Sequence, residues 1–250
     1  MRGHASWYIP SAMKPDRQRV IKSDPRGLPA YPIREAAHYL RIPVGTLRYW
    51  ALGGPYSRSD GQHVSEPILT LPDRSRPILS FMNLVEAHVL AAIRRRYQIS
   101  FPKVRAAVSF IKEKFPTRYR LADHQFETDG LDLFIDHVGK LINVTGRGQL
   151  AIRQLLQMYL RRIERDPHGI PIKLYPFTRD PEADEPRAVV IDPRISFGRP
   201  VLAGTGIATV IVAERFNAGE SMDDLAVDYG RGRSDIEEAI RCELALPRAA

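Results

Sequence analysis

Three prolines decide what the first folded stretch of this chain can be. Pro32, Pro43 and Pro55 punctuate "YPIREAAHYLRIPVGTLRYWALGGP". Proline has no amide hydrogen and clashes with the preceding turn, so a helix can begin at one but not run through it. Only two short helices fit between them. Ile33, Ala36, Ala37 and Leu40 recur at helical spacing and give the first an apolar face. Arg41-Ile42-Pro43-Val44 interrupts it. The second runs through Gly45 to Trp50, with Leu47 and Trp50 facing the core, and Gly53-Gly54-Pro55 stops it. Two short helices around a tight turn predict a helix-turn-helix.

The following residues extend this unit. Val64, Ile68, Leu69 and Leu71, then Ile78 and Leu79, suit short strands between turn residues, so a wing is expected beside the second helix. In "FMNLVEAHVLAAIRRRY", Leu84, Val85, His88, Val89, Ala92 and Ile93 share one helical face, and Arg94, Arg95 and Arg96 sit where cations complement the helix dipole. Pro102 opens another helix, with Val104, Ala107, Val108 and Ile111 inside, closing at Phe115-Pro116. Residues 1–30 have scattered prolines, several basic residues and no periodicity, which reads as a flexible basic arm.

Residues 117–180 read as a small α+β connector or dimerisation region. "LDLFIDHVGKLINVT" suits two strands around His137-Val138-Gly139, "QLAIRQLLQMYLRRIE" is an amphipathic helix, and "GIPIKLYPF" suits a strand. Residues 181–187 form an acidic, proline-containing linker. In residues 188–250, Ala188–Ile191 and Val201-Leu202 pair as a hairpin, followed by three helical patterns. The first buries Val210, Ile211, Ala213 and Phe216. The second has Ser221 as N-cap and Gly230 as its stop. The third starts at Ser234 with Ile236, Ala239, Ile240 and Leu244 as its core stripe. The expected class is α+β, mainly helical: an N-terminal winged helix-turn-helix over 31–116, the connector, and a C-terminal β-hairpin with a three-helix bundle that itself resembles a helix-turn-helix.

"FGRPVLAGTGI", Phe197 to Ile207, tests for a nucleotide site. A Walker loop needs a Lys after its last glycine, and none follows Gly204. A dinucleotide loop beginning at Gly204-Thr205-Gly206 needs a third glycine where Thr209 stands. Gly198, Gly204 and Gly206 are therefore expected to serve turns, and no cofactor is expected. Asp123, His124, Asp129, Asp132, Asp136 and His137 cluster without a recognisable ligand spacing, so neither a metal site nor a catalytic residue is expected. The one cysteine, Cys242, lies in a helical pattern as a core or surface thiol, which fits a reducing cytoplasm. No signal peptide or membrane span is expected.

Charge separates the two ends. The chain carries a net +8, but residues 181–250 hold 8 Lys and Arg against 13 Asp and Glu. Arg41, Thr46, Arg48 and Tyr49, on or next to the second helix, and Arg58, Gln62 and His63 in the wing are residue types that neutralise phosphates or reach base edges. The acidic last helix, with Asp235, Glu237, Glu238 and Glu243, would repel DNA and suits a basic protein partner instead.

Two resemblances sharpen this reading. "REAAHYL", "TLRYW", the wing, "NLVEAHVLAAIRRR" and "ISFPKVRAAVSFI" follow one another as in the MerR family of transcription regulators, which implies DNA binding. The long dimerisation helix and clustered cysteines of metal-sensing members are absent, so no sensing role is carried over. "IDPRISFGRPVLAGTGI", "NAGESMDDLAVDYG" and "SDIEEAI" resemble the domain of unknown function 433 family, classed with VapB-type antitoxins. Gly206 stands where many members carry Arg. The resemblance implies a cytoplasmic antitoxin, acting as a homodimer, that blocks a PIN-like ribonuclease toxin and represses its own operator DNA. The surface expected to meet the toxin is Phe197, Arg199, Glu237, Glu238 and Arg241. The alternative is a MerR-like regulator without a toxin, whose C-terminal domain serves oligomerisation.

Overall fold

A computed structural model describes residues 24–58, 61–97, 101–115, 117–143, 146–179 and 186–244. The expected helix-turn-helix is present: α1 spans Ile33–Tyr39 and α2 spans Val44–Leu52. Pro32 and Pro43 stand immediately before them, as the chemistry of proline requires. Strand β1, Tyr31–Pro32, leads into α1, and α2 is followed by the wing, β2 (Gly54–Arg58) paired antiparallel with β3 (Gly61–Ser65). Gly53 makes the entry to the wing possible. Its φ is +72°, and a side chain there would run into the Ser65 carbonyl oxygen.

The strand expectation held in part. Val64 lies in β3, and Ile78–Leu79 form β4, which pairs with β1. Ile68 and Leu69 are not in a strand. Their amides donate instead to the Trp50 carbonyl, fastening the return of the wing beneath α2. The last residues of the expected arm are also ordered. Pro25–Gly27 form a 3-10 turn, and Arg26 Nη1 donates to Asp166 Oδ2 at 2.9 Å; residues 1–23 lie outside the described residues.

Helix α3, Phe81–Tyr97, runs through the middle of the molecule. Ser80 and Asn83 cap its start reciprocally: the Asn83 amide donates to Ser80 Oγ and the Ser80 amide to Asn83 Oδ1, both at 3.2 Å. Every residue from Phe81 to Ile93 is buried, not one face of them, as befits a helix covered on all sides. Helix α4, Phe101–Lys114, holds Val104, Ala107, Val108 and Ile111 inside as expected.

The connector departs from the sequence reading. Residues 131–142 are not two strands but one helix, α5, Leu131–Ile142. Leu131, Phe134, Ile135 and Val138 are buried at spacings of three and four, a helical period that overrides the glycine at 139. The helix follows a π-helical turn, Phe126–Gly130, and stops at Asn143, whose φ is +56°. Helix α6, Arg147–Leu160, is followed by the hairpin β5 (Ile163–Arg165) and β6 (Pro171–Leu174). One hydrophobic core runs unbroken from Tyr31 to Ile191 through all of these elements.

In the C-terminal unit, β7 (Val189–Val190) pairs with β8 (Val201–Leu202), and Leu174 and Ile191 exchange backbone hydrogen bonds that tie this hairpin to β6. Helices α7 (Thr209–Asn217), α8 (Met222–Tyr229) and α9 (Arg233–Glu243) enclose a small second core of Leu202, Val212, Leu225, Ile236, Ala239 and Ile240. Ser221 caps α8 and Gly230 ends it in a left-handed conformation, both as read from the sequence. Three details differ. Thr209 and Val212 point inward, leaving Val210 and Ile211 exposed, because α7 begins at Thr209 with its hydroxyl bonded to the Pro200 carbonyl. Helix α9 starts one residue earlier, after Gly232, and Leu244 falls outside it, exposed.

Candidate functional site

Two surfaces carry the residues that could meet a partner. The first is the outer face of α2 and the wing. Leu47 and Trp50 are fully buried, which turns Val44, Gly45, Arg48 and Leu52 outward. Arg48 is thus an exposed cation on the helix that would enter a groove. Tyr49 is half-buried, with the Arg105 guanidinium of α4 5.6 Å from its ring centre. Gln62 is exposed in β3 opposite Ser57. The register places Arg58 opposite Gly61 and His63 opposite Tyr56, while the Arg58 and His63 side chains lie outside what is described.

Two expected DNA contacts sit elsewhere. Thr46 is buried, because it falls on the inward side of the first turn of α2. Arg41 occupies the turn between the helices with φ +52°, and its Nη1 donates to the Arg241 carbonyl at 3.3 Å. It therefore braces the helix-turn-helix against α9. Beside the wing lies a basic wall that the sequence reading missed. Arg74, Arg105, Lys112 and Arg120 line a cleft of about 660 Å³ with Leu52 and Val64. The signal for it in the sequence is the cationic outer face of α4, at Arg105 and Lys112.

The second surface is the turn Ser196–Gly198. Ser196, Phe197 and Gly198 all have left-handed backbones, with φ of +48°, +56° and +77°. Such a conformation costs a residue with a Cβ on the order of 1–2 kcal/mol. Gly198 has no alternative, since a Cβ there would strike the Tyr31 hydroxyl. Phe197 is 95% exposed, so its strain is not repaid by burial within the chain. Gly204 has φ +77°, as a turn glycine should. Gly206 has no left-handed backbone and faces open space, so the expectation of a backbone requirement there is corrected.

The expected toxin-facing acidic surface is largely spent inside the molecule. Glu238 is not outward but buried, held by Thr178 and Arg179, because α9 lays that side on the connector. Arg199 pairs with Glu35 of α1 and approaches the Tyr39 hydroxyl. Glu243 accepts from Thr209 Oγ1 at 2.5 Å and lies 3.9 Å from His38. Glu237 and Arg241 pair with each other one turn apart, half-exposed. Of the five residues, Phe197 is the one presented fully to solvent.

The remaining candidates do not assemble. Asp132 pairs with Arg153, His137 stacks on Phe110 at 4.3 Å, and His124 lies 3.9 Å from Glu127. Among the described residues no group of three or more His, Cys, Asp or Glu could hold a metal ion. Burial pushes the Cys242 thiol up to about 12, far from a reactive thiolate. Among the described residues no helix is long and apolar enough to cross a membrane.

Comparison with known proteins matches both ends. Residues 29–108 match a family described as "Putative DNA-binding HTH domain", and residues 189–241 match "Protein of unknown function (DUF433)". The chain is 27% identical over 245 residues to "Putative antitoxin VapB45" of Mycobacterium tuberculosis, covering 91% of this chain and 98% of that protein. It is also 27% identical over 219 residues to "Uncharacterized protein Rv2308" of the same organism, covering 84% and 88%. The crystal structure of Rv2018 from Mycobacterium tuberculosis has the same fold, with a TM-score of 0.60 at 23% identity over 86% of this chain and 98% of that one. The chain thus carries at its N-terminus a helix-turn-helix domain of the family described as "Putative DNA-binding HTH domain" and at its C-terminus a DUF433 domain, and it is homologous to the protein named "Putative antitoxin VapB45".

Proposed function

We propose that this protein is a cytoplasmic, non-enzymatic antitoxin and autorepressor. The MerR-like winged helix-turn-helix binds operator DNA, and the DUF433 domain binds a PIN-like ribonuclease toxin. What supports the reading most is that a reading helix with an uncovered outer face and a DUF433 domain occur in one chain, homologous over 91% of its length to a protein named as an antitoxin. Phe197 supports the toxin-binding half: a strained, exposed aromatic is the kind of side chain that anchors a protein interface. A homodimer would match two half-sites of a near-palindromic operator, as two-fold proteins do.

A second reading has its own support. Arg199, Glu238 and Glu243 tie the C-terminal unit to α1 and to the connector, which fits a regulator whose DUF433 domain braces or pairs the DNA-binding unit. Co-expression with the product of the adjacent gene separates the two. Growth rescue and co-purification are expected for the antitoxin. A neighbour that is harmless alone and never co-purifies would leave the regulator.

A further inference from the structure

The cleft beside the wing has a composition that binding along α2 alone does not explain. Its walls come from the end of α2, the wing's end, the segment after it, α4 and the stretch beyond α4, and it carries Arg74, Arg105, Lys112 and Arg120 against one lining carboxylate, Glu66. Arg74 and Lys112 are exposed at the mouth, as is Glu66, while Arg105 and Arg120 are half-buried. Arg105 Nη2 and Arg120 Nε are each fully enclosed and have no hydrogen-bond partner. An enclosed guanidinium N–H without an acceptor costs roughly 1–3 kcal/mol, more where it is charged. Both side chains line the cleft; Arg120 also has the buried Glu86 carboxylate near it, so the acceptor the cleft is short of is chiefly that of Arg105. Ser109 adds a hydroxyl to the same wall.

We propose that this cleft is a phosphate-binding site, filled by a backbone phosphate of the DNA lying beside the wing. Guanidinium groups grip phosphate in paired hydrogen bonds, and a phosphate in the cleft would lie among Arg74, Arg105, Lys112 and Arg120. DNA is the favoured source because Leu52, at the end of α2, and Val64, in β3, form the cleft's edge. A strand contacted by α2 and the wing therefore passes its mouth. In this form the inference rests on the DNA-binding reading. The same chemistry would accept the phosphate of a small free ligand, and 660 Å³ leaves room for one.

Both sources are tested with the full chain. Tripolyphosphate binding is measured by calorimetry, and DNA binding is measured against salt concentration. The variant R74E/K112E alters two exposed cations at the mouth, and K140E/R147E makes the same charge change on exposed positions elsewhere. R105Q probes the interior, with a thermal melt to check its fold. The expected result is that R74E/K112E and R105Q weaken tripolyphosphate at least tenfold or lower the salt slope of DNA binding by about one per lost phosphate contact, and that K140E/R147E does neither. A changed DNA slope assigns the phosphate to DNA. Lost tripolyphosphate binding with an unchanged slope assigns it to a free ligand. If R74E/K112E and R105Q match the control in both measurements, the cleft is no phosphate site. Should the wild-type chain bind no DNA at all, the DNA-binding reading fails, and the tripolyphosphate measurement alone decides the cleft.

Discussion

Phe197 holds a left-handed backbone that a glycine would adopt without strain, and it exposes nearly all of its ring. A residue selected for stability would be neither. Phe197→Gly should leave stability unchanged or raise it by up to about 1 kcal/mol in urea unfolding, because strain is relieved and no burial is lost. The same change should weaken binding of the protein partner at least tenfold, as loss of an aromatic anchor does. A variant that binds as well as the wild type would show that the ring serves nothing outside the chain. Glu86 presents the opposite case, a charge-bearing group with no access to water. Its burial pushes it from 4.5 up to about 7, although Arg120 and the amides of Leu121 and Arg120 favour the ionised form. Between those two values the folded protein keeps a proton that the unfolded chain has released. Stability therefore falls as pH rises from 4.5 to about 7 and is level, for this group, on either side. The fall is roughly 3 kcal/mol. Glu86→Gln should remove that slope when unfolding free energies at pH 5 and pH 8 are compared with the wild type's; an unaltered slope would place the titration elsewhere.

Among the elements, α2 is the one whose sequence and position agree most fully. Proline, apolar spacing and the glycine stop all mark it, and its outer face carries Arg48. Arg48→Ala should lower DNA affinity about tenfold, within the 1–3 kcal/mol typical of such contacts. A uniform loss across sequences, with the salt slope reduced by about one, identifies a phosphate contact; a loss confined to the operator identifies a base contact. Affinity that does not move would remove α2 as the reading helix. Helix α9 was harder to read. Its apolar stripe at Ile236, Ala239 and Ile240 was legible, because local periodicity sets it. The burial of Glu238 was not, since its partners Thr178 and Arg179 lie some sixty residues earlier and no local pattern announces them. Helix α5 is a different case. Its turn was read at His137-Val138-Gly139, while the helical spacing of Leu131, Phe134, Ile135 and Val138 stood in the sequence itself.

Across the whole molecule, the sequence divides at Pro116 and the core does not. Tyr31 and Ile191 belong to one apolar cluster. Helix α3 is enclosed because α6 lies against it: His88 Nε2 is 3.1 Å from the Tyr159 carbonyl, and its ring packs on Tyr159 and Phe177. Helix α4 leans on α5, where Phe110 stacks on His137. A fragment cut at the resemblance's edge, residues 24–116, would strip α6 from α3 and α5 from α4 and expose the buried apolar side chains those helices cover. Each such side chain is worth about 1.5–3 kcal/mol when buried, against a total stability of only about 5–15 kcal/mol for a domain of ordinary size. That fragment should therefore lack a cooperative thermal transition and bind the dye that marks exposed apolar surface. A fragment of residues 24–187 keeps α5, α6 and the β5–β6 hairpin against α3, and should melt cooperatively. It loses the backbone bonds between Leu174 and Ile191, the packing of Ile191, the pairs of Glu35 with Arg199 and His38 with Glu243, the bond of Arg41 to α9, and the contacts of Thr178 and Arg179 with Glu238, but nothing that joins α3, α4, α5 and α6 to one another. Circular dichroism melts of the two fragments decide the matter. If residues 24–116 fold on their own, the connector is an appendage to the DNA-binding unit; if they do not, the connector is part of it, and any operator contact made by α2 depends on helices more than seventy residues away.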